Sequence, residues 1–239
     1  MGVSAPTFFH MIVGFDIISD LNLTSQDTFD WEGKPTSLFC IVPGNISSDI
    51  TVLYKTLKHL SLHYKGVFFI DGSLENPDAH FTDSRIKDLA KIGNVFSNIV
   101  YLHNNVVIAD GIALIGINGW EEKSTLNTSM DLFQIKANRY DDIMYLEKTL
   151  ERLQLHVDIK KIVVVTNCVP SKQLYFNDEY VDDLFPIDVI YTDTESKLSR
   201  WVFGTSDKMV DTVVDGVKFV NNPKHDKNPY YPKRIEIQV

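Results

Sequence analysis

Short apolar blocks of strand length alternate along this chain with polar, glycine-containing stretches and with segments of helical period. MIVGFDIIS (11–19) and SLFCIVPG (37–44) are β-branched runs that stop at turn formers, so both read as buried strands. The polar stretch between them, LTSQDTFDWEGKPT, reads as a loop. Over 48–64 the apolar positions Val52, Leu53, Leu57, Leu60 and Leu62 predict an amphipathic helix capped by Ser47 or Ser48. GVFFIDG predicts a third strand, and DSRIKDLAKIGNVF a helix broken at Gly93-Asn94. NIVYLHNNVVIADGIALIGING predicts short strands with turns at Asn104-Asn105 and Asp110-Gly111, the latter a hairpin signal.

The strongest helical period covers 140–157, with Ile143, Leu146, Leu150 and Leu153 on one face. KKIVVVTN, VDDLFPIDVIYT, RWVFG and MVDTVVDGVKFVNNP follow as strand-rich stretches, with a second hairpin at Asp215-Gly216. The tail KRIEIQV alternates as an edge strand does. Strand–helix–strand units early and hairpins late predict an α/β fold with mixed sheets. Residues 1–10 read as a lead-in and 11–239 as a single domain.

The composition, 44% hydrophobic and 23% charged over 239 residues, is that of a globular chain able to bury a full core. A net charge of −9 argues against a nucleic-acid partner held by phosphate neutralisation. No apolar run is long enough for a membrane span, and no signal-peptide pattern opens the chain, so the expected location is cytoplasmic. Cys40 and Cys168 sit in apolar runs and read as small core residues, with a disulfide as the alternative. N-x-[ST] triplets at Asn22, Asn45 and Asn127 carry little weight without a secretory signal.

Ligands in α/β sheets bind beyond the carboxyl ends of strands. The segments there read D-L-N (20–22), G-N-I-S-S-D (44–49), G-S-L-E (72–75), T-N-C-V-P-S (166–171) and G-T-S-D (204–207). Their order and spacing resemble the calcineurin-like metallophosphoesterases, of the small type common in bacteria and phages. That family's blocks run D-x-H, G-D-x-x-[DN], G-N-H-[DE], T-H-x-x-P-S and G-H-x-H. NNVVIADGIALIGINGWEE resembles the family's hairpin before a G-x-x-x-W segment, and DTVVDGVKFVNNP its stretch ending in Asn-Pro. The resemblance runs from about residue 11 to 239. It implies a four-layer αββα sandwich of two mixed β-sheets, with the five segments meeting at one end.

The resemblance also implies a two-metal site whose ligands this chain has largely exchanged. The first metal would use the positions of Asp20, Asn22, Asn45 and Asp207, and the second those of Asn45, Ser73, Asn167 and Thr205. Histidine has become Asn at 22 and 167, Thr at 205 and Asp at 207. The bridging aspartate has become Asn45, the asparagine ligand Ser73, and the proton-donating histidine Leu74. Only Asp20 is unchanged. An amide brings no charge to hold two cations together, and imidazole nitrogens that favour Mn, Fe or Zn are gone. The second site is expected to hold nothing. The first retains an all-oxygen set suited at most to one weakly bound Mg or Ca.

None of the seven histidines (His10, His59, His63, His80, His103, His156, His225) falls at a ligand position. His59 and His63 have the spacing of a metal pair, but no H-E-x-x-H pattern surrounds them, so they read as a partly exposed helix face. His156 and His225 read as surface residues. Asp141-Asp142 and Asp182-Asp183 read as solvated or capping carboxylates, and Lys160-Lys161 and Lys233-Arg234 are too short for nucleic-acid patches.

The expected function is a catalytically inactive metallophosphoesterase-like fold, phage-encoded, acting as a protein-binding or structural module without cofactor or membrane. Candidate partner surfaces are Tyr175-Phe176, Tyr180 and Phe185, and the tail pair Tyr230-Tyr231. The alternatives are a divergent phosphoesterase using one hard cation at Asp20, Asn22, Asn45 and Asp207, and a binder of a small phosphorylated ligand held by backbone donors.

Overall fold

In the computed structural model, residues 11–76, 83–120, 129–171, 174, 196–206, 208–224 and 229–239 are described below. The predicted strand over 181–192 and the aromatic residues Tyr175, Phe176, Tyr180 and Phe185 lie outside them.

The first sheet contains β1 (Ile12–Ile17), β2 (Phe39–Pro43), β3 (Gly66–Ile70), β4 (Ile99–Tyr101) and β11 (Lys233–Gln238), in the order β11-β1-β2-β3-β4. β1 to β4 are parallel, and β11 closes the edge antiparallel to β1. The second sheet contains β5 (Asn105–Ala109), β6 (Ile112–Ile117), β7 (Lys161–Thr166), β8 (Leu198–Phe203), β9 (Asp211–Val214) and β10 (Val217–Val220), in the order β5-β6-β7-β8-β10-β9. Its inner four strands are parallel and its two edges antiparallel. Both predicted hairpins form, with positive φ at Asp110-Gly111 and at Asp215-Gly216.

Period-two alternation splits each central strand between two cores. Phe15, Ile17, Ile41, Phe68 and Ile70 of the first sheet meet Ile112, Leu114, Val163, Val165, Val202 and Val220 of the second. The opposite face of the first sheet, including Cys40, Val42, Val67 and Phe69, packs on α1 (Ile50–His63) and α2 (Asp83–Val95) through Leu53, Leu57, Leu60, Leu89 and Ile92. The outer face of the second sheet packs on Leu146, Leu150 and Leu153 of α3 (Ser129–Leu155). Helix, sheet, sheet and helix therefore form the expected four-layer sandwich. Cys40 and Cys168 are free thiols buried in different cores. No described helix is long and apolar enough to cross a membrane.

Several boundaries differ from expectation. Asp49, not Ser47 or Ser48, caps α1 by accepting from the N–H groups of Thr51 and Val52. Ser47 is instead buried, its hydroxyl donating to the Leu23 carbonyl. Leu62 is 74% exposed, because the buried stripe ends at Leu60. α2 runs through Gly93-Asn94 to Val95, held by the packing of Leu89 and Ile92 on the first sheet. α3 begins at Ser129, eleven residues before the periodic segment.

Candidate functional site

Both sheets direct the carboxyl ends of their parallel strands to the same end of the sandwich, and side chains from the two sheets meet there. Asp20 follows β1, Asn45 follows β2, Ser73 follows β3, Asn167 follows β7 and Thr205 follows β8. Asp20, Asn45 and Thr205 all have positive φ, a conformation that turns each side chain off its strand axis into the shared space.

Asn45 is the centre of the cluster. Its Nδ2 donates to Asp20 Oδ1 at 2.9 Å and to Thr205 Oγ1 at 3.0 Å. Its Oδ1 accepts from the Ser73 hydroxyl and the Leu74 backbone N–H, both at 3.2 Å. The Thr205 hydroxyl passes its own proton to Asn167 Oδ1 at 3.0 Å, and Asn167 Nδ2 donates to the Pro43 carbonyl at 2.9 Å. The Thr205 N–H donates to the same Asp20 oxygen at 2.9 Å. Glycines make this closeness possible. A Cβ on Gly72 would lie 2.4 Å from Asn45 Oδ1 and 2.6 Å from Asn167 Nδ2, and one on Gly44 2.5 Å from the latter.

Asp20 is 6% exposed, and burial pushes its pKa up to about 6 against the lowering effect of Asn45 and Thr205. Its Oδ2 is buried with no hydrogen-bond partner among the described residues. The sequence-predicted positions Asp20, Asn45, Ser73, Asn167 and Thr205 are thus brought together, with Leu74 contributing its backbone. Asn22 is not brought in: its side chain is exposed and folds back to donate to the Asp20 carbonyl. Asp207 lies outside the described residues.

This donor set does not suit a pair of divalent metals. The bridging position presents an NH2 group, not an oxygen, toward Asp20, and its oxygen is turned to Ser73 and Leu74. Asp20 is the one carboxylate among the five clustered side chains, and no imidazole is present there. Among the described residues, no group of three His, Cys, Asp or Glu side chains is placed to hold a metal ion.

Glu75 beneath this cluster had no assigned role in the sequence. It is 1% exposed and accepts from the N–H groups of Asn45, Ile46, Ser47 and Gly72 at 2.7–3.0 Å. The loop after β2 offers a nest of N–H groups of the kind that binds anions, and the protein's own carboxylate fills it. A phosphorylated ligand would have to displace Glu75 to use those donors. The E of the G-S-L-E block was the available signal.

A second buried polar group adjoins the first. Asp71 accepts from the Tyr101 hydroxyl at 2.7 Å and from Asn76 at 2.6 Å, while Asn118 Nδ2 reaches its carbonyl at 2.9 Å. His103 Nδ1 lies 3.8 Å from Asp71 Oδ1. Burial works against the Asp71 carboxylate, but His103, Tyr101 and Asn76 outweigh it and hold its pKa below the usual value. Burial likewise opposes the His103 imidazolium, and the carboxylates of Asp71 and Asp142 prevail, raising its pKa. Asp142, expected to be solvated or capping, is 2% exposed within α3, accepts from the Gly119 N–H at 2.8 Å, and is pushed by burial up to about 6. The correction follows from α3 starting earlier, which puts Asp142 mid-helix on the sheet side.

Among the described residues, His59, His63 and Tyr230 make internal contacts. His59 Nε2 accepts from the Trp31 N–H at 3.0 Å, and burial lowers its pKa. His63 stacks edge-on against it at 4.7 Å. His156 is half exposed, whereas His10, His80 and His225 lie outside the described residues. Tyr230 is not an exposed anchor: its hydroxyl accepts from the Ser19 N–H and donates to the Asn222 carbonyl. Tyr231 is 62% exposed.

No family model and no curated protein matches this sequence. Solved structures with the same fold do match. The phosphopantetheinyl hydrolase PptH from Mycobacterium tuberculosis is 14% identical with a TM-score of 0.62, covering 92% of this chain and 95% of that one. A putative 5'-nucleotidase from Staphylococcus aureus, in complex with alpha-ketoglutarate, is 13% identical with a TM-score of 0.54, covering 95% of this chain and 51% of that one. At these identities the likeness establishes the fold, a phosphoesterase-like sandwich consistent with the calcineurin-like type.

Proposed function

We propose that this chain is a metallophosphoesterase-like fold that has given up catalysis and serves as a protein-binding or structural module, phage-encoded and acting inside the host cell without a metal cofactor. The observation that carries the reading is the orientation of Asn45. A two-metal phosphoesterase needs an anionic oxygen bridging its ions, and here a hydrogen-bond donor points at Asp20, the one carboxylate among the five clustered side chains described. Leu74, at the position of the proton donor, has no group with which to assist a leaving alkoxide.

Apart from Asp20 Oδ2, the amide, hydroxyl and carboxylate groups named above hydrogen-bond one another across the two sheets, as a structural polar network does. Exposed apolar residues elsewhere, among them Phe133, Tyr140 and Tyr231, are available for contacts with a protein partner.

The divergent-hydrolase alternative draws on the unpartnered Oδ2 of Asp20. A proton satisfies that oxygen as well as a cation does, and the raised pKa of the buried carboxyl favours the proton. Assay of a generic aryl phosphodiester with Mn or Mg separates the readings. The proposal expects no turnover above that of the Asp20→Ala variant. Metal-dependent turnover that Asp20→Ala abolishes would overturn it.

A further inference from the structure

Three ionisable groups meet beside the polar cluster, and their charges do not balance. Asp71 follows β3, His103 follows β4 and Asp142 lies within α3, the two carboxylates being 0% and 2% exposed. The His103 ring stacks on Tyr101 at 5.7 Å, and both carboxylates favour its protonated form. The titratable groups that face it are Asp71 after β3, Tyr101 on β4 and Asp142 on α3, with Glu75 close enough to act on Tyr101. One imidazolium thus serves two anions. Without its proton, two carboxylates stay buried with that compensating charge gone.

The same two carboxylates hold the turn after β6. The Gly119 N–H donates to Asp142 at 2.8 Å. The Trp120 N–H donates to Asn118 Oδ1 at 3.2 Å, and Asn118 Nδ2 donates to the Asp71 carbonyl at 2.9 Å and to its carboxylate at 3.2 Å. Gly119 and Trp120 both have positive φ, 85° and 28°, a conformation that strains a bulky residue such as Trp120 and persists only where its surroundings hold it. The turn also reaches the polar cluster, because the Asn118 carbonyl accepts from the N–H groups of Asn167 at 3.1 Å and Cys168 at 3.3 Å. Asp71 has donors in Tyr101, Asn76 and Asn118, whereas Asp142 rests on Gly119 and Asn104. Asp142 is therefore the more weakly held of the two.

We propose that His103 is a proton-controlled latch: protonated, it keeps Asp142 against Gly119, and on losing its proton it lets Asp142 and the 118–120 turn part, opening the Gly119 and Trp120 backbone to water. His103 gives up one proton to solvent, and no covalent bond of the chain changes. The released Asp142 gains hydration, and the strained turn relaxes. The contact of Asn118 with Asn167 loosens with it, so pH acts on the strand-end cluster through a group outside that cluster. The latched state binds the proton more tightly than the open one, so the latch is complete below 6.5 and is released as pH climbs through the raised value of His103. This opening is local and precedes global unfolding.

Native-state hydrogen exchange of the full chain, read by NMR at the Gly119, Trp120 and Val164 amides from about pH 6.5 to 8.5, tests the latch. Val164, fully buried on β7, reports global unfolding. Corrected for intrinsic exchange, opening at Gly119 and Trp120 should rise with pH by at least about threefold in all, and by no more than about tenfold per pH unit for one proton. Val164 should stay better protected throughout. His103→Gln should leave the turn open and insensitive to pH. Asp142→Asn, whose amide oxygen still accepts from Gly119, should keep it closed and insensitive to pH, and it decides alone if His103→Gln does not fold. Opening that does not vary with pH, that occurs only together with Val164, or that keeps its pH dependence in Asp142→Asn would overturn the proposal.

Discussion

Four partners orient the Asn45 amide, so changing it to a carboxylate reverses the polarity of the contact with Asp20. Asn45→Asp would place two carboxyl groups within hydrogen-bond reach, where both cannot ionise without strong repulsion. The expected loss of stability is about 1–3 kcal/mol at pH 8, shrinking toward pH 5 as the pair shares a proton. Urea unfolding at the two pH values checks this, and equal losses at both would contradict it. Glu75→Ala is expected to cost more, about 3–4 kcal/mol, because four buried N–H groups lose their acceptor together. Glu75→Gln should recover part of that loss, since one oxygen still accepts. Most of these residues were legible as positions, because each follows an apolar run that stops at a turn. Their contacts were not, since nothing local in the sequence tells which end of an amide faces a carboxylate 25 residues away.

At the scale of elements, strands and hairpins were legible because turn chemistry marks them, as at Asp110-Gly111 and Asp215-Gly216. Helix limits were less so. Gly93 reads as a breaker by propensity, yet tertiary packing of Leu89 and Ile92 carries α2 past it. A Cβ at Gly93 would meet Tyr101 at ordinary contact distance, 3.4 Å from its Cβ, and the backbone there is helical. Gly93→Ala is therefore expected to stabilise the protein by about 0.5–1 kcal/mol, read as a rise in melting temperature. A fall would show that the Tyr101 contact is too tight. α3 was underestimated because its first turns lack the clean apolar period of 140–157. Asp142 reads as a solvated or capping carboxylate for the same reason, because it stands at the start of the periodic segment and not at the start of the helix.

For the whole molecule, the residue pattern predicts an α/β fold with mixed sheets, and the four layers were implied by the family resemblance. The resemblance also placed the five segments at one end, but the buried charges around them, Asp142 and His103 included, were not visible there. Those charges predict a pH profile. Asp20 and Asp142 have folded pKa values of about 6 against 3.8 for a free carboxyl, so the folded state binds their protons more tightly. Stability falls as pH rises between those values, by roughly 2–3 kcal/mol per group. His103, raised above 6.5, adds stability that is present below that value and lost as pH climbs through its folded pKa. His59, lowered by burial, acts in the opposite direction below its free value of 6.5 but is only partly buried. The lowered Asp71 matters only below its free value of 3.8. The melting temperature should thus be higher near pH 5.5 than at pH 8, and a flat or inverted profile would show that these groups are not buried together.

We propose that hydrogen bonds stand at the strand ends where the resembled family holds two metals. Metal analysis of the chain, purified and then equilibrated with Mn and Zn, tests it most directly. Far less than one ion per chain is expected, with a melting temperature unaffected by chelator. Two ions per chain, lost together with stability on chelation, would contradict it.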